Sequence, residues 1–234
     1  MLRRKIELCM TLLLLLGMII VSRKLSQLVT SENVQAQNNI VVIDAGHGGN
    51  DPGKVGVNNA LEKDINLQIA EKVKTYLERN GIEVVMTRED DVMEDTKLED
   101  MKKRVALINK TKPAITVSIH QNSYSDSSVK GAQVFYYTGS EISKEAAGIM
   151  QEELRKIDSE NTRQMKDNNS FYMLKKTEVP TIIVECGFLS HSEEAEKLVS
   201  DEYQEQMAEA ICNGILTWLS QKYVYHGNKR PILE

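Results

Sequence analysis

Two histidines stand where a strand-forming apolar run ends. In Val41-Val42-Ile43-Asp44-Ala45-Gly46-His47-Gly48-Gly49 a buried-type strand runs into a glycine-rich turn that presents His47. Glycines let the backbone bend sharply and leave room for a ligand, whereas a core histidine needs packing neighbours. The segment Ile115-Thr116-Val117-Ser118-Ile119-His120 repeats the arrangement and ends on His120. The chain has only four histidines, so two at strand tips are a pattern rather than crowding. A third run, Thr181-Ile182-Ile183-Val184, reaches Glu185, and a carboxylate after four β-formers is costly unless it is paired or working. Glu62 lies in the first turn of a helical pattern, where the helix dipole alone would also favour a carboxylate.

Two histidines and one glutamate from separate segments match the ligand set of a catalytic zinc site, three protein ligands plus a water. A second glutamate is then free to move protons. Glu62 and Glu185 share these two roles, and spacing alone does not say which is the ligand.

Elements of alternating type must position these residues. Ile40 to Ala45, Ile82 to Thr87, Ala114 to Ile119, Ala132 to Tyr137 and Thr181 to Glu185 read as strands. Glu62 to Arg79, Leu98 to Thr111, Glu141 to Asp158 and Asp201 to Lys222 read as helices. Leu61, Ile65, Ile69, Val73 and Leu77 repeat at four-residue spacing, and Tyr203, Met207, Ile211, Ile215 and Trp218 form a second stripe, so each helix has one core-facing side. The order predicts an α/β fold: a single layered domain with a mostly parallel central sheet flanked by helices. In such sheets ligands bind beyond the carboxyl ends of the strands, where His47 and His120 fall.

The N-terminus has another character. Arg3, Arg4 and Lys5 precede an apolar stretch from Ile6 to Val21, the layout of an export signal or a retained membrane anchor. The stretch falls short of the roughly 20 residues of a comfortable span, yet no A-x-A-like site follows it closely. The expected organisation is a signal peptide or membrane anchor over residues 1–24, a polar linker over 25–39, the catalytic domain over 40–222 and a tail over 223–234. Either fate of the N-terminus places the body outside the cytoplasm, tethered to the membrane if the segment stays uncleaved. A formal net charge of -5 gives no footprint for phosphate-backbone binding, so nucleic acid is not an expected partner. Three cysteines, Cys9, Cys186 and Cys212, sit in unrelated contexts and form no metal-site spacing; they read as small buried thiols.

The sequence from about Ile40 to Leu219 resembles the zinc-dependent N-acetylmuramoyl-L-alanine amidases of the type 3 group. The matching pieces are Asp44 to Gly49, Asp51-Pro52-Gly53, Glu62 with Asn66, Thr87-Arg88, Arg104 with Asn109, Ser118-Ile119-His120 with Asn122, and Val184-Glu185 with Gly187 to Ser190. The resemblance implies that His47, Glu62 and His120 hold Zn2+ and that Glu185 is the catalytic carboxylate. It also implies a peptidoglycan substrate, cut at the amide joining N-acetylmuramic acid to L-alanine. The compact layout is similar to the sporulation branch of that family, which prepares spore cortex for germination, and members can depend on an activating protein partner. Two departures stand out: Gln121 follows His120 where a small residue is usual, and His191 follows Ser190 where asparagine is common. His191 reads as a solvated or capping residue rather than a third imidazole ligand. A zinc peptidase acting within the peptide stem, or an idle wall-binding protein of the same fold, are the competing functions.

Overall fold

The computed structural model describes residues 40–92 and 94–227. The N-terminal signal or anchor, the linker over 25–39, Cys9 and the residues from 228 onward lie outside them. Six strands form one sheet: β1 (Ile40–Ala45), β2 (Glu83–Met86), β3 (Ile115–Asn122), β4 (Gln133–Tyr137), β5 (Lys166–Asn168) and β6 (Thr181–Phe188). Their order is β2-β1-β3-β6-β4-β5, with β2, β1, β3 and β6 parallel and β4 running antiparallel to β6. The helices are α1 (Glu62–Arg79), α2 (Lys97–Thr111), α3 (Glu141–Ile157), α4 (Tyr172–Lys176), α5 (Ser192–Leu198) and α6 (Asp201–Gly227).

The sheet is mostly parallel because its central strands are apolar on both faces and helices cover both. Val41, Val42, Ile43 and Ala45 of β1 are all fully buried. Ile65, Ile69, Val73 and Leu77 of α1 join Met207, Ile211, Ile215 and Trp218 of α6 in the main core. On the opposite side, Val42 meets Val105 and Ile108 of α2 and Met173 of α4. Each such side chain contributes about 1.5–3 kcal/mol relative to exposure, so the two stripes bind α1 and α6 firmly to the sheet. Cys186 and Cys212 are buried free thiols.

The helix starts are secured in different ways. Thr96 caps α2 by accepting from the Glu99 amide, and Ser140 caps α3 by accepting from that of Ser143. α1 has no side-chain cap. Instead the Glu62 and Lys63 amides donate to the carbonyls of Lys54 and Pro52, so the loop after β1 is fastened to the helix end that carries Glu62. Among the described residues, no helix is long and apolar enough to cross a membrane.

Three elements go beyond the sequence expectations, β5, α4 and α5, and three others run past their expected ends. β3 continues past His120 to Asn122 through a register shift, and β6 continues past Glu185 to Phe188. α6 continues past Lys222 to Gly227.

Candidate active site

The parallel strands converge on one edge, and the chemistry-bearing residues sit there. His47 lies two residues beyond β1, His120 near the end of β3, and Glu185 on β6 is the register partner of His120. Glu62, the first residue of α1, reaches in from above the sheet. Its Oε1 lies 3.2 Å from His47 Nε2 and 2.9 Å from His120 Nδ1. The donor atoms of His47, Glu62 and His120 all lie within 4.8 Å of one another. A tetrahedral zinc with bonds of about 2.0–2.2 Å separates its ligands by roughly 3.3–3.6 Å, so the three donors are close enough together to share one ion after small side-chain adjustments. The two imidazoles meet edge to face, 5.0 Å between centroids at 81°, with His47 Nε2 and His120 Nδ1 towards Glu62 Oε1.

The space around the donors is reserved by glycine. A Cβ on Gly46 would fall 2.2 Å from the His120 ring, and one on Gly53 would fall 2.6 Å from Glu62 Oε2. His47 itself takes a left-handed backbone, φ 62°, uncommon for a residue with a side chain.

Charge separates the two glutamates. Burial alone would raise Glu62, but hydrogen bonds from His120 and His47 outweigh it and hold the carboxyl well below the usual range. The backbone amides of Gln121 and Lys54 also donate to Glu62, at 3.1 and 2.7 Å. Glu185 is pushed up to about 7, chiefly by burial, with His120 pulling down and Glu62 pushing further up. Its Oε2 is buried without a hydrogen-bond partner. One glutamate is thus an ionised group at the centre of the donor set, and the other is a carboxyl that ionises only near neutrality.

Further residues support the site in ways that sequence reasoning did not assign. Asp51 Oδ2 accepts from His47 Nδ1 at 2.8 Å, and Lys97 Nζ lies 2.9 Å from the same oxygen. A carboxylate behind a ligating imidazole fixes its tautomer and ring plane. Asn66, one turn along α1 from Glu62, donates to the Gly46 carbonyl at 3.0 Å and accepts from Gln121 Nε2 at 3.1 Å. The i, i+4 spacing of Glu62 and Asn66 on one helix face was the available signal for that pair. Gln121, the unusual neighbour of His120, turns its side chain away from the donors and towards Asn66. His191 is not part of the donor set: it caps α5, its Nδ1 accepting from the Glu194 amide.

The sequence and the fold both have known relatives. A germination-specific N-acetylmuramoyl-L-alanine amidase of Bacillus subtilis (strain 168) is 38% identical over 192 residues, which cover 78% of this chain and 81% of the relative. The uncharacterized protein YqiI of the same organism is 37% identical, over 77% of this chain and 85% of its own length. Among solved structures, the CwlD amidase from Clostridioides difficile, in complex with the GerS lipoprotein, superposes with a TM-score of 0.76 at 38% identity, covering 79% of this chain and all of that one. The catalytic domain of CwlV, an N-acetylmuramoyl-L-alanine amidase from Bacillus (Paenibacillus) polymyxa, gives 0.71 at 33% identity, over 77% and 98% of the two chains. The family model for N-acetylmuramoyl-L-alanine amidases matches residues 41–217, and with two 38% identical relatives spanning the same fold the chain belongs to that family.

Proposed function

We propose that this protein hydrolyses the amide between the lactyl group of N-acetylmuramic acid and L-alanine in peptidoglycan, with Zn2+ held by His47, Glu62 and His120 and with Glu185 as the catalytic carboxylate. The observation that carries the proposal is three donors within 4.8 Å of one another beside a buried carboxyl with one oxygen unpartnered among the described residues. Two imidazoles and an ionised carboxylate suit zinc in number and type. A zinc ion there supplies Lewis acidity, polarising the scissile carbonyl and easing deprotonation of the attacking water.

The protein's own residues do the rest. To hold the ion, His47 and His120 would each turn an unprotonated nitrogen towards the common point, and Asp51 favours this for His47 by accepting from Nδ1. Glu185 ionises near neutrality, so it can take the proton of the attacking water and return it to the leaving nitrogen. The strands and α1 fix the distances between these groups, which removes the entropy of assembling them in the reaction.

The relatives point to the setting. One is named for germination, and the solved CwlD amidase is in complex with a lipoprotein. We place this enzyme in spore cortex maturation outside the cytoplasm, with an activating protein as a partner. The test is mass spectrometry of purified peptidoglycan after incubation with the protein, with zinc and with a chelator. Release of stems beginning at L-alanine, in the zinc sample only, is the expected result. Cuts inside the stem would make the protein a peptidase. Intact peptidoglycan from zinc-loaded protein, even with a cognate lipoprotein added, would leave only wall binding.

A further inference from the structure

The backbone that presents His47 is gripped by two arginines far away in sequence. Arg104 of α2 donates from Nη1 to the Ala45 carbonyl at 2.6 Å and from Nη2 to the His47 carbonyl at 2.7 Å. Arg88 donates from Nε to the Ala45 carbonyl at 2.9 Å and from Nη2 to that of Gly46 at 3.1 Å. Three consecutive carbonyls, those of Ala45, Gly46 and His47, are therefore taken by guanidinium groups. Arg104 is itself held: Nη1 lies 2.9 Å from Asp44 Oδ1 and Nε lies 2.6 Å from Asp100 Oδ2. The Arg104 and Asp44 side chains are 6% and 2% exposed.

We infer that Arg104 is a positioning residue for His47, acting through the backbone to hold the left-handed turn that brings Nε2 to Glu62. The left-handed conformation of a residue with a Cβ persists only when its surroundings over-determine it. The flanking glycines allow the turn but cannot enforce it, because glycine is permissive in both directions. The guanidinium can enforce it: its donors form a rigid planar fork, and two of them span the carbonyls on either side of Gly46. A lysine offers one ammonium on a flexible stem, enough to balance Asp44 but not to fix two carbonyls at once. The same helix reaches the other end of the residue, since Lys97 meets Asp51, which holds the His47 ring. That contact is weaker, because the Lys97 side chain is 58% exposed. α2 thus grips His47 at backbone and ring, with Arg104 the stronger hand.

This rests on the reading of His47 as a zinc ligand, and the experiment separates the two. Arg104→Lys is compared with Leu154→Ala, a cavity-forming change in α3 away from the site. Zinc affinity by chelator competition, the melting midpoint of metal-free protein, and the NMR signals of the His47 ring and amide are measured for the full chain. Arg104→Lys should weaken zinc binding at least tenfold and shift the His47 signals, while Leu154→Ala lowers the midpoint and leaves both unchanged. A folded Arg104→Lys protein with zinc affinity within twofold of the parent and unmoved His47 signals overturns the inference and makes the arginine merely structural. Should that variant fail to fold, Asp100→Asn decides. It frees only Nε, and is expected to weaken zinc about threefold; unchanged affinity and His47 signals there overturn the inference equally. A parent protein that binds no zinc counts against the proposed metal site instead, and the His47 signals of the metal-free variants still judge the role of Arg104.

Discussion

Asp44 and Glu185 are both buried carboxylates on central strands of one sheet, yet they are opposite in condition. Asp44 accepts from Ser118 at 2.5 Å, from Thr87 at 2.6 Å and from Arg104 at 2.9 Å. Burial would raise it, but Arg104 and the two hydroxyls outweigh burial and hold it at about 2. Glu185 has an oxygen without any donor and sits at about 7. A buried carboxylate whose lone pairs are filled is a structural part; one left unfilled stores an instability that a reaction can use. The carboxylate on β1 is accordingly over-determined, and the one on β6 is not.

The sharpest way to break this comparison is to make Glu185 as inert as Asp44. Glu185→Gln should lower turnover by about 10²–10⁴-fold, the usual worth of a general acid–base group, while zinc remains bound stoichiometrically. Loss of zinc together with activity, measured by metal analysis after gel filtration, would show that Glu185 is a ligand and that its role has been confused with that of Glu62. Next in size, Asp44→Asn leaves the Arg104 charge without its buried partner. Removing one member of a buried pair costs about 3–5 kcal/mol, and Asp100 keeps the loss near the lower end.

The two carboxylates should also carry opposite pH signatures, best read in metal-free protein. Asp44 is lowered from 3.8 to about 2, so its stabilisation is fully present above 3.8 and is lost as pH falls through about 2. The deficit of Asp44→Asn should therefore be complete at pH 7 and shrink in acid. Glu185 is raised from 4.5 to about 7, so the folded state is favoured with the proton on, and stability falls as pH rises from 4.5 through about 7. Glu185→Gln should match the parent below 4.5 and exceed it above 7 by up to about 3 kcal/mol, the ceiling set by that gap. Denaturant melts at pH 4, 6 and 8 decide this for Glu185, and melts carried below pH 3.8 decide it for Asp44; a gain in Glu185→Gln independent of pH would mean that Glu185 is neutral for another reason.

How much of this was legible depended on the range of the interaction. The bounds of α1 follow from a four-residue apolar stripe over Glu62 to Arg79, and both strand-tip histidines follow from where the apolar runs stop. β5, α4 and α5 carry weaker patterns: β5 is the polar triplet Lys166–Asn168 at a sheet edge, and its pairing depends on β4 being in place. Spacing does not separate the two glutamates, and the difference in their surroundings comes largely from contacts such as those of the His120 ring and the Gln121 amide with Glu62, 58 and 59 residues away. Arg104 lies 60 residues from Asp44, so its grip on the β1 turn leaves no local signature.

The mildest test contrasts two histidines that both follow a strand end. His47 is held at ring and backbone and faces Glu62. His191 takes up one backbone donor at the start of α5. Next to it, Glu194 accepts from the Gly131 amide at 2.8 Å and from the Phe188 amide at 2.7 Å, so α5 is fastened to the end of β6 without help from the histidine ring. His191→Ala should therefore cost about 1 kcal/mol, the worth of an N-cap, and change neither zinc stoichiometry nor affinity. A fall in zinc affinity in a protein that melts only slightly earlier would bring a third imidazole into the metal's surroundings. The contrast between a capping histidine and a ligating one would then have to be redrawn around the β6 loop.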